Sequence, residues 1–253
     1  MSKRELLFLQ CSVIFRKGSK NLNNHILSNR LAQVASFVPE QARLADIGSD
    51  HAYLPVYLVA TGKISYAIAG EVAPGPLKAA IAQIKKYGYT EKIIPRLADG
   101  LATIQPEDRI DTITIAGMGG LLTSDILTNG QADGFLSTRE RLILQPNNHE
   151  QELRHWLTRN HYKIYDEQLV KDQGKFYEII VADYQKSDSY TMKELYFGPI
   201  LMQKKSSIFQ EKWQKELQTK QKILNNLQKA YERPEAKIAE INKEVAWIKE
   251  VLA

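Results

Sequence analysis

The feature that most constrains the fold is an alternation of short apolar strands with amphipathic helices along residues 24–188. Strand patterns lie at 43–47, 64–72, 92–97, 111–115 and 141–145, and helical patterns lie at 25–38, 52–60, 74–88 and 150–160. Strands about 20–30 residues apart with helices between them form βαβ units, whose strands run parallel in one sheet. The pattern therefore predicts an α/β fold with a parallel sheet.

Two further strand patterns, 162–170 and 176–184, follow the last of these helices. No helical pattern separates them, so a parallel crossover between them is disfavoured. They are expected to form an antiparallel hairpin at the edge of the sheet.

The composition changes near residue 188, after which strand patterns almost disappear. Apolar residues then recur at alternating spacings of three and four on both sides of Arg233-Pro234. They are Trp213, Leu217, Leu224, Leu227 and Tyr231, then Ile238, Ile241, Val245, Ile248 and Leu252, with Lys220 interrupting the first stripe. Such heptad stripes favour an antiparallel coiled-coil hairpin, although two ordinary amphipathic helices packed on the core would give a similar pattern. We therefore expect an extension at 1–23, an α/β domain at 24–188 and a helical coiled-coil domain at 189–253.

The composition, with 43% hydrophobic and 25% charged residues, is typical of a globular protein. The single cysteine, Cys11, cannot form an intramolecular disulfide, and the five histidines lack metal-ligand spacing. The run Leu6 to Phe15 is too short to span a membrane, and the basic segment after it does not resemble a signal-peptide cleavage site. These features predict a cytoplasmic protein with no membrane association and no structural metal, whose first residues are an amphipathic extension or reflect an upstream translation start.

The net charge of +5 is unevenly distributed. Residues 1–20 and 204–253 each carry +4, so the body between them carries −3. A basic tail on a mildly acidic body fits a large polyanionic partner, although solvated helix faces often have the same charge pattern.

Residues that follow the predicted strands are candidates for ligand binding, because open α/β sheets bind ligands at the carboxyl ends of their strands. Asp46 and Gly48 follow the first strand, Glu71 the second and Asp99 the third. Glu71 is placed to accept hydrogen bonds from ribose hydroxyls, and Asp99 from an exocyclic amine such as adenine N6. Each carboxylate taken singly could equally be a surface residue or a helix cap.

The fourth strand ends in Ala116-Gly117-Met118-Gly119-Gly120. Three glycines in four positions suggest a flat ligand or substrate lying against bare backbone. Together the four strand ends predict a site for a nucleoside-type cofactor. The complete GxGxxG signature is missing, which disfavours an NAD-dependent enzyme.

Five motifs, in this order and spacing, resemble the bacterial tRNA (adenine-22-N1)-methyltransferases, the TrmK type of class I S-adenosylmethionine (SAM) methyltransferase. They are DIGSDHAYLP, GEVAPGPLKAA, ADGL, TITIAGMGG and LILQPNN. The resemblance covers about residues 24–186 and extends to the C-terminal hairpin. It implies a Rossmann-like sheet, SAM as cofactor with S-adenosylhomocysteine as product, and tRNA as the partner.

The resemblance also implies roles for individual residues. SAM would be held at the first loop by Asp46, Gly48, Ser49, Asp50 and His51, with Glu71 and its neighbour Val72 at the ribose and Asp99 with Gly100 at the adenine. Ala116, Gly117 and Met118 would line the methyl-transfer cleft.

Ring N1 of adenine has an in-plane lone pair, so methylation there needs orientation and charge stabilisation more than a general base. We expect Asp50 to provide these, with His51 as a second catalytic candidate. Alternatively, Asp50 would cap the next helix and His51 would bond to its backbone. For the substrate we expect contacts from Arg30, Tyr53, Gly119, Gly120, Lys212, Lys215 and Lys222, with Lys220, Lys229 and Tyr57 as further candidates.

Two departures from related enzymes bear on these assignments. Asp50 stands where many class I methyltransferases have a second glycine, so its carboxylate would face substrate as well as cofactor. The fourth loop lacks the aromatic Asn-Pro-Pro-Tyr type motif of adenine-N6 methyltransferases, which is consistent with methylation at N1.

Two other functions remain open from the residues alone. One is a SAM methyltransferase that acts on another RNA, a protein or a metabolite. The other is a noncatalytic RNA-binding protein that keeps the fold. The sequence also leaves open a monomer or a weak homodimer, with the apolar stripes serving dimerisation in the latter case.

Overall fold

The computed structural model describes residues 27–185, 189–229 and 233–253. The predicted extension, Cys11 and Tyr231 of the apolar stripe lie outside these ranges.

A seven-stranded sheet in the order β3-β2-β1-β4-β5-β7-β6 forms the centre of the molecule. Its strands are β1 (Arg43–Ile47), β2 (Tyr66–Glu71), β3 (Ile93–Leu97), β4 (Thr112–Met118), β5 (Arg141–Pro146), β6 (Tyr162–Asp172) and β7 (Lys175–Tyr184). The first five are parallel, and β7 is antiparallel to both β5 and β6. The predicted α/β fold and edge hairpin are therefore confirmed. The strand order reverses between β1 and β4, which creates a switch point for ligand binding at their carboxyl ends.

The helices cover both faces of the sheet. They are α1 (Asn29–Phe37), α2 (Tyr53–Ala60), α3 (Pro74–Tyr87), α4 (Gly120–Ala132), α5 (Glu150–Arg159), α6 (Met192–Phe197), α7 (Leu201–Lys204), α8 (Ser207–Gln228) and α9 (Glu235–Leu252). Successive residues of β1 point to opposite faces: Leu44 packs with α1–α3, and Ala45 packs with α4 and α5. Burial on both faces explains why the central strands are apolar throughout.

Helices α8 and α9 form the predicted antiparallel hairpin. Leu224 packs against Ile238, Ile241 and Val245 near its outer end. Lys220, which interrupts the apolar stripe, bonds across the hairpin to Glu244 at 2.7 Å. The inner end packs on the α/β body, as Trp213 lies in one cluster with Leu169 of β6. Among the described residues no helix has the length and hydropathy needed to cross a membrane.

A buried ion cluster joins this hairpin to the sheet. Arg154 of α5 is fully buried, and its guanidinium bonds to Glu167 of β6 at 2.7 Å and to Glu178 of β7. Glu178 also pairs with Lys212 of α8. Gly198 lies against the cluster, since a Cβ there would come within 2.7 Å of an Arg154 nitrogen. The cluster therefore links α5, β6, β7, α8 and the segment that leads into α8.

Replacing the buried cation should destabilise the fold strongly. Arg154→Met keeps a long apolar side chain but leaves the buried Glu167 without a cation and Glu178 with Lys212 alone, so the free energy of unfolding should fall by about 3–5 kcal/mol. Arg141→Met is the matched control, because its Asp183 pair is about one-third exposed, at 30% and 34%. That variant should lose no more than about 1 kcal/mol. Urea unfolding measures both, and equal losses would contradict this account of the cluster.

Candidate active site

Asp46 lies at the end of β1, beside Thr114 of β4. Its carboxylate accepts hydrogen bonds from the hydroxyls of Ser49 and Thr114, each at 2.6 Å. Burial raises the pKa of Asp46 to about 6, although both hydrogen bonds oppose the shift. One buried carboxyl thus connects the first loop to the fourth strand. Thr114 was not among the predicted site residues.

Gly48 makes a close approach between two loops possible. Its φ is +67°, and a Cβ would lie 2.1 Å from the Met118 methyl carbon. The backbone N–H groups of Gly48 and Ser49 both donate to the carbonyl of Gly70, at 2.9 and 3.1 Å. These amides are therefore occupied within the protein, and Gly48 serves the contact between the β1 and β4 loops.

The next three residues, Asp50, His51 and Ala52, all have left-handed backbone conformations, with φ of 35°, 61° and 55°. Consecutive residues in this region cost conformational energy and persist only where their surroundings hold them. Here the Asp50 amide donates to Glu71 Oε1 at 2.5 Å, and His51 Nδ1 lies 2.6 Å from Asp50 Oδ1. The His51 ring also stacks on Tyr53 at 5.4 Å.

These contacts exclude the alternative roles considered for the first loop. Ala52 occupies the N-cap position of α2, and no side chain caps that helix. The side chains of Asp50 and His51 are instead exposed at the carboxyl end of the sheet, by 77% and 47%. Both are available to a ligand in this loop.

Glu71 ends β2 and is buried, with one oxygen occupied by the Asp50 amide. Burial raises the pKa of Glu71, and the Asp50 hydrogen bond opposes this. The exposed apolar side chains of Val72 and Leu97 lie on the neighbouring strand ends, and Asp99 is exposed just beyond. Carboxylates flanking an apolar surface match a nucleoside, whose ribose and amine are polar and whose base is flat. Leu97 was not among the predicted site residues. Only its position at the end of a strand could have marked it as one.

The glycine-rich loop after β4 has a more structural role than predicted. A Cβ on Gly119 would lie 2.8 Å from Asn148 Oδ1, and one on Gly120 would lie 2.2 Å from the His149 carbonyl oxygen. These glycines make room for residues 147–149, and Gly120 is buried. Gly120 thus packs against this loop, and its assignment to the substrate stays a prediction. Gly117, with φ of +85°, remains exposed.

Gln145 holds Gly117 in place. Its buried side-chain oxygen accepts from the Gly117 amide at 3.0 Å and from Arg30 Nη1 at 2.5 Å. Asn147 Nδ2 donates to the Gly117 carbonyl at 2.7 Å. The Arg30 guanidinium also lies 5.5 Å from the Tyr177 ring centroid. Arg30 thus lies beside Gly117 and Gln145. Gln145, Asn147 and Tyr177 were not among the predicted site residues, although the first two belong to the motif LILQPNN.

The predicted basic contacts divide into two groups. Lys212 pairs with Glu178 and is 14% exposed, so it is occupied by the ion cluster and unsuited to phosphate binding. Lys220 is likewise paired with Glu244. Lys215, Lys222 and Lys229 are exposed and seven residues apart, so they share one face of the hairpin. This group is called the lysine stripe below.

The described residues contain no cluster of three or more His, Cys, Asp or Glu side chains suited to a metal ion. The site is instead formed by loops after β1, β2, β3, β4 and β5. It brings together Asp46, Gly48, Asp50, Glu71 and Met118, and leaves the lysine stripe outside.

The raised pKa of Asp46 predicts a pH effect on stability. Because the folded pKa of about 6 exceeds the ordinary value of 3.8, the folded state binds the proton more tightly. The wild type should therefore lose stability as pH rises from about 4 to about 7, relative to Asp46→Asn, by roughly 2–3 kcal/mol. Urea unfolding of both proteins at the two pH values measures this, and a pH-independent difference would contradict the burial argument.

A family model and a curated relative both point to the same protein family. A family model described as TrmK, tRNA (adenine(22)-N(1))-methyltransferase, matches residues 44–250. A Bacillus subtilis protein named tRNA (adenine(22)-N(1))-methyltransferase is 40% identical over 91% of this chain and 99% of its own length.

Solved structures show the same relationship. The crystal structure of the B. subtilis m1A22 tRNA methyltransferase TrmK has a TM-score of 0.83 at 40% identity, covering 90% of this chain and 99% of that chain. Streptococcus pneumoniae Sp1610 in complex with S-adenosyl-L-methionine has a TM-score of 0.82 at 42% identity, covering 90% and 100%. M. capricolum TrmK in complex with S-adenosyl-homocysteine has a TM-score of 0.79 at 29% identity, covering 90% and 98%. The chain therefore belongs to the TrmK family of tRNA (adenine(22)-N(1))-methyltransferases.

Proposed function

We propose that this protein transfers the methyl group of SAM to ring N1 of adenine 22 in tRNA. The observation that carries the proposal is the meeting of Asp46, Gly48, Glu71 and Met118 at the switch point of the sheet. Family membership identifies the acceptor, since the matching family acts on this atom of tRNA. We further propose that the reaction takes place in the cytoplasm.

The strand-end residues fit SAM. Glu71 has one oxygen bound to the Asp50 amide and offers the other to a ribose hydroxyl. Val72 and Leu97 would pack on the adenine, with Asp99 and Gly100 at its edge. Asp46 with Ser49, Asp50 and His51 would face the amino-acid part, and Ala116, Gly117 and Met118 would border the methyl group. These are the residues around the meeting point of the β1 and β4 loops.

SAM supplies an electrophilic methyl group: the N1 lone pair forms the new carbon–nitrogen bond while the carbon–sulfur bond breaks, leaving S-adenosylhomocysteine. The adenine ring gains positive charge in this step. We assign the stabilisation of that charge to Asp50, whose exposed carboxylate is oriented by His51 at 2.6 Å. A carboxylate within about 4 Å in a partly desolvated cleft contributes a few kcal/mol to the transition state.

We place the target base between Arg30, Tyr53 and the exposed Gly117. The base must leave its stack to reach this space. Arg30 donates to Gln145 through one nitrogen and retains further N–H groups for a phosphate near the flipped nucleotide. Tyr53 is 46% exposed and offers a stacking surface beside His51.

The lysine stripe of α8 is proposed to contact the tRNA backbone. Its members lie about 10 Å apart, because a helix rises about 1.5 Å per residue. With this assignment, residues 24–188 would form the methyltransferase domain, and residues 189–253 would form the tRNA-binding part. We propose a monomer, and the packing of Leu224 on Ile238 and Ile241 within one chain supports it. A weak homodimer would need a different surface.

Methyl transfer from labelled SAM to unmodified tRNA transcripts, mapped by reverse-transcriptase stops, tests the function. N1-methyladenine blocks Watson–Crick pairing, so one stop is expected at adenine 22, and none in a transcript with guanine there. Incorporation of the labelled methyl group into another RNA or a protein would support SAM as the methyl donor but contradict tRNA as the acceptor. SAM binding without any incorporation would favour the noncatalytic alternative.

Replacing the proposed charge stabiliser should slow the chemical step. Asp50→Asn keeps the side-chain size and the backbone N–H to Glu71 but removes the negative charge, so kcat should fall about 100-fold. Affinity for SAM should fall much less than kcat, because Asp50 is one of several residues facing the amino-acid part and its backbone contact to Glu71 persists. Single-turnover methylation and SAM titration measure the two effects. An unchanged kcat would exclude the electrostatic role, and a large loss of SAM affinity alone would assign Asp50 to cofactor binding.

A further inference from the structure

A groove next to the methyl-transfer cleft is not used by the mechanism above. It is a cavity of about 710 Å³ between the start of α5, the β6–β7 turn and α8. It is lined by 147–152, 174–178, Tyr196, Lys212, Trp213, Lys215 and Glu216. Asn147 and Asn148 belong both to this groove and to the loop that contacts Gly117 and Gly119. The groove therefore lies on the far side of the loop that packs on Gly117 and Gly119.

The groove has an aromatic surface with lysines at its rim. Phe176 is half-buried, and the ammonium group of Lys215 lies 5.8 Å from its ring centroid. Lys171, at the same distance, lies outside the groove lining and pairs with Glu211. Lys175 is exposed beside it. An aromatic face flanked by lysines is the usual combination for binding an unpaired nucleotide, whose base stacks while its phosphate meets the cations.

The charges of the interior favour a base over a phosphate. Glu150, Glu178 and Glu216 line the groove, and the positive charges beside Glu178 are already paired with it. Burial, followed by repulsion from Glu178, raises the pKa of Glu150. A phosphate inside would meet these carboxylates, whereas a neutral base can bond to Asn148, Glu150 or Gln151 through its polar edge.

We propose that this groove binds the nucleobase adjacent to the methylated adenine, with Phe176 stacked on that base and Lys175 and Lys215 at its phosphate. The proposal rests on the function proposed above. It requires the RNA strand to be open at two successive nucleotides, because a paired neighbour could not enter the groove. The rim at Lys215 then leads directly to the rest of the lysine stripe.

Photo-crosslinking tests the position of that base. Substrate tRNA carries a thiolated nucleoside at one or the other position flanking adenine 22, and it is irradiated with the full-length protein. We expect one of the two positions to crosslink to residues 174–178 or 212–216. Crosslinks confined to other residues, with normal methyl incorporation in the same reactions, would overturn the groove alone. Absence of methyl incorporation would overturn the proposed function on which it rests.

Substitution of the stacking residue gives an independent readout. Phe176→Leu keeps an apolar side chain but removes the ring, so KM for tRNA should rise about tenfold while kcat and SAM affinity stay within about twofold. Phe176→Tyr keeps a stacking face and should behave as the wild type. Tyr165→Leu is the control, because Tyr165 is exposed on β6 beside Arg141, at the opposite end of the sheet. Equal KM values for Phe176→Leu and the wild type, with unchanged thermal midpoints, would contradict the stacking role.

Discussion

The carboxyl of Asp46 is the contact on which the arrangement of the site depends. It bonds to Ser49 in its own loop and to Thr114 in the adjacent strand, in a setting where burial raises its pKa to about 6. Gly48 and Met118 come into contact directly beside it. The loops after β1 and β4 are thereby held at a fixed separation. Methyl transfer needs such fixed geometry, because its rate depends on aligning the donor carbon with the acceptor nitrogen.

A second constraint fixes the hairpin relative to that centre. Arg154 lies one turn into α5, which begins just after the 147–149 loop that packs on Gly119 and Gly120. Through Glu178 and Lys212 it connects α5 to α8. The lysine stripe therefore has a defined distance from the cleft. A bound tRNA would be positioned by the same body that positions the cofactor, with the groove at Phe176 between the two.

Much of this organisation could be predicted from the sequence, because it depends on patterns among residues that are close together in the chain. Strand spacing predicted the parallel sheet, and apolar recurrence predicted the helical hairpin, because both depend on short-range periodicity. The positions of Asp46, Glu71 and Asp99 after strands indicated one shared edge. What could not be predicted depended on contacts between distant segments.

Three residues show this limit. Lys212 looked like an RNA contact, but the folding of β7 brings Glu178 against it. Gly120 looked like a bare surface for a flat ligand, yet the loop after β5 covers it. Neither charge nor spacing in the sequence singled out Gln145. In the structure its side-chain amide bonds to Arg30, Gly117 and Asn147. Each role follows from pairings between segments that are far apart in the sequence.

The proposed function requires that the strand ends form one cofactor site while the hairpin serves the acceptor. Titration of SAM into the isotope-labelled protein, followed by backbone amide chemical shifts, tests this most directly. Chemical-shift changes are expected to concentrate at residues 46–51, 71–72, 99–100 and 116–118, with 215–229 unchanged. Shifts absent from these strand ends, or concentrated in the hairpin, would contradict this requirement.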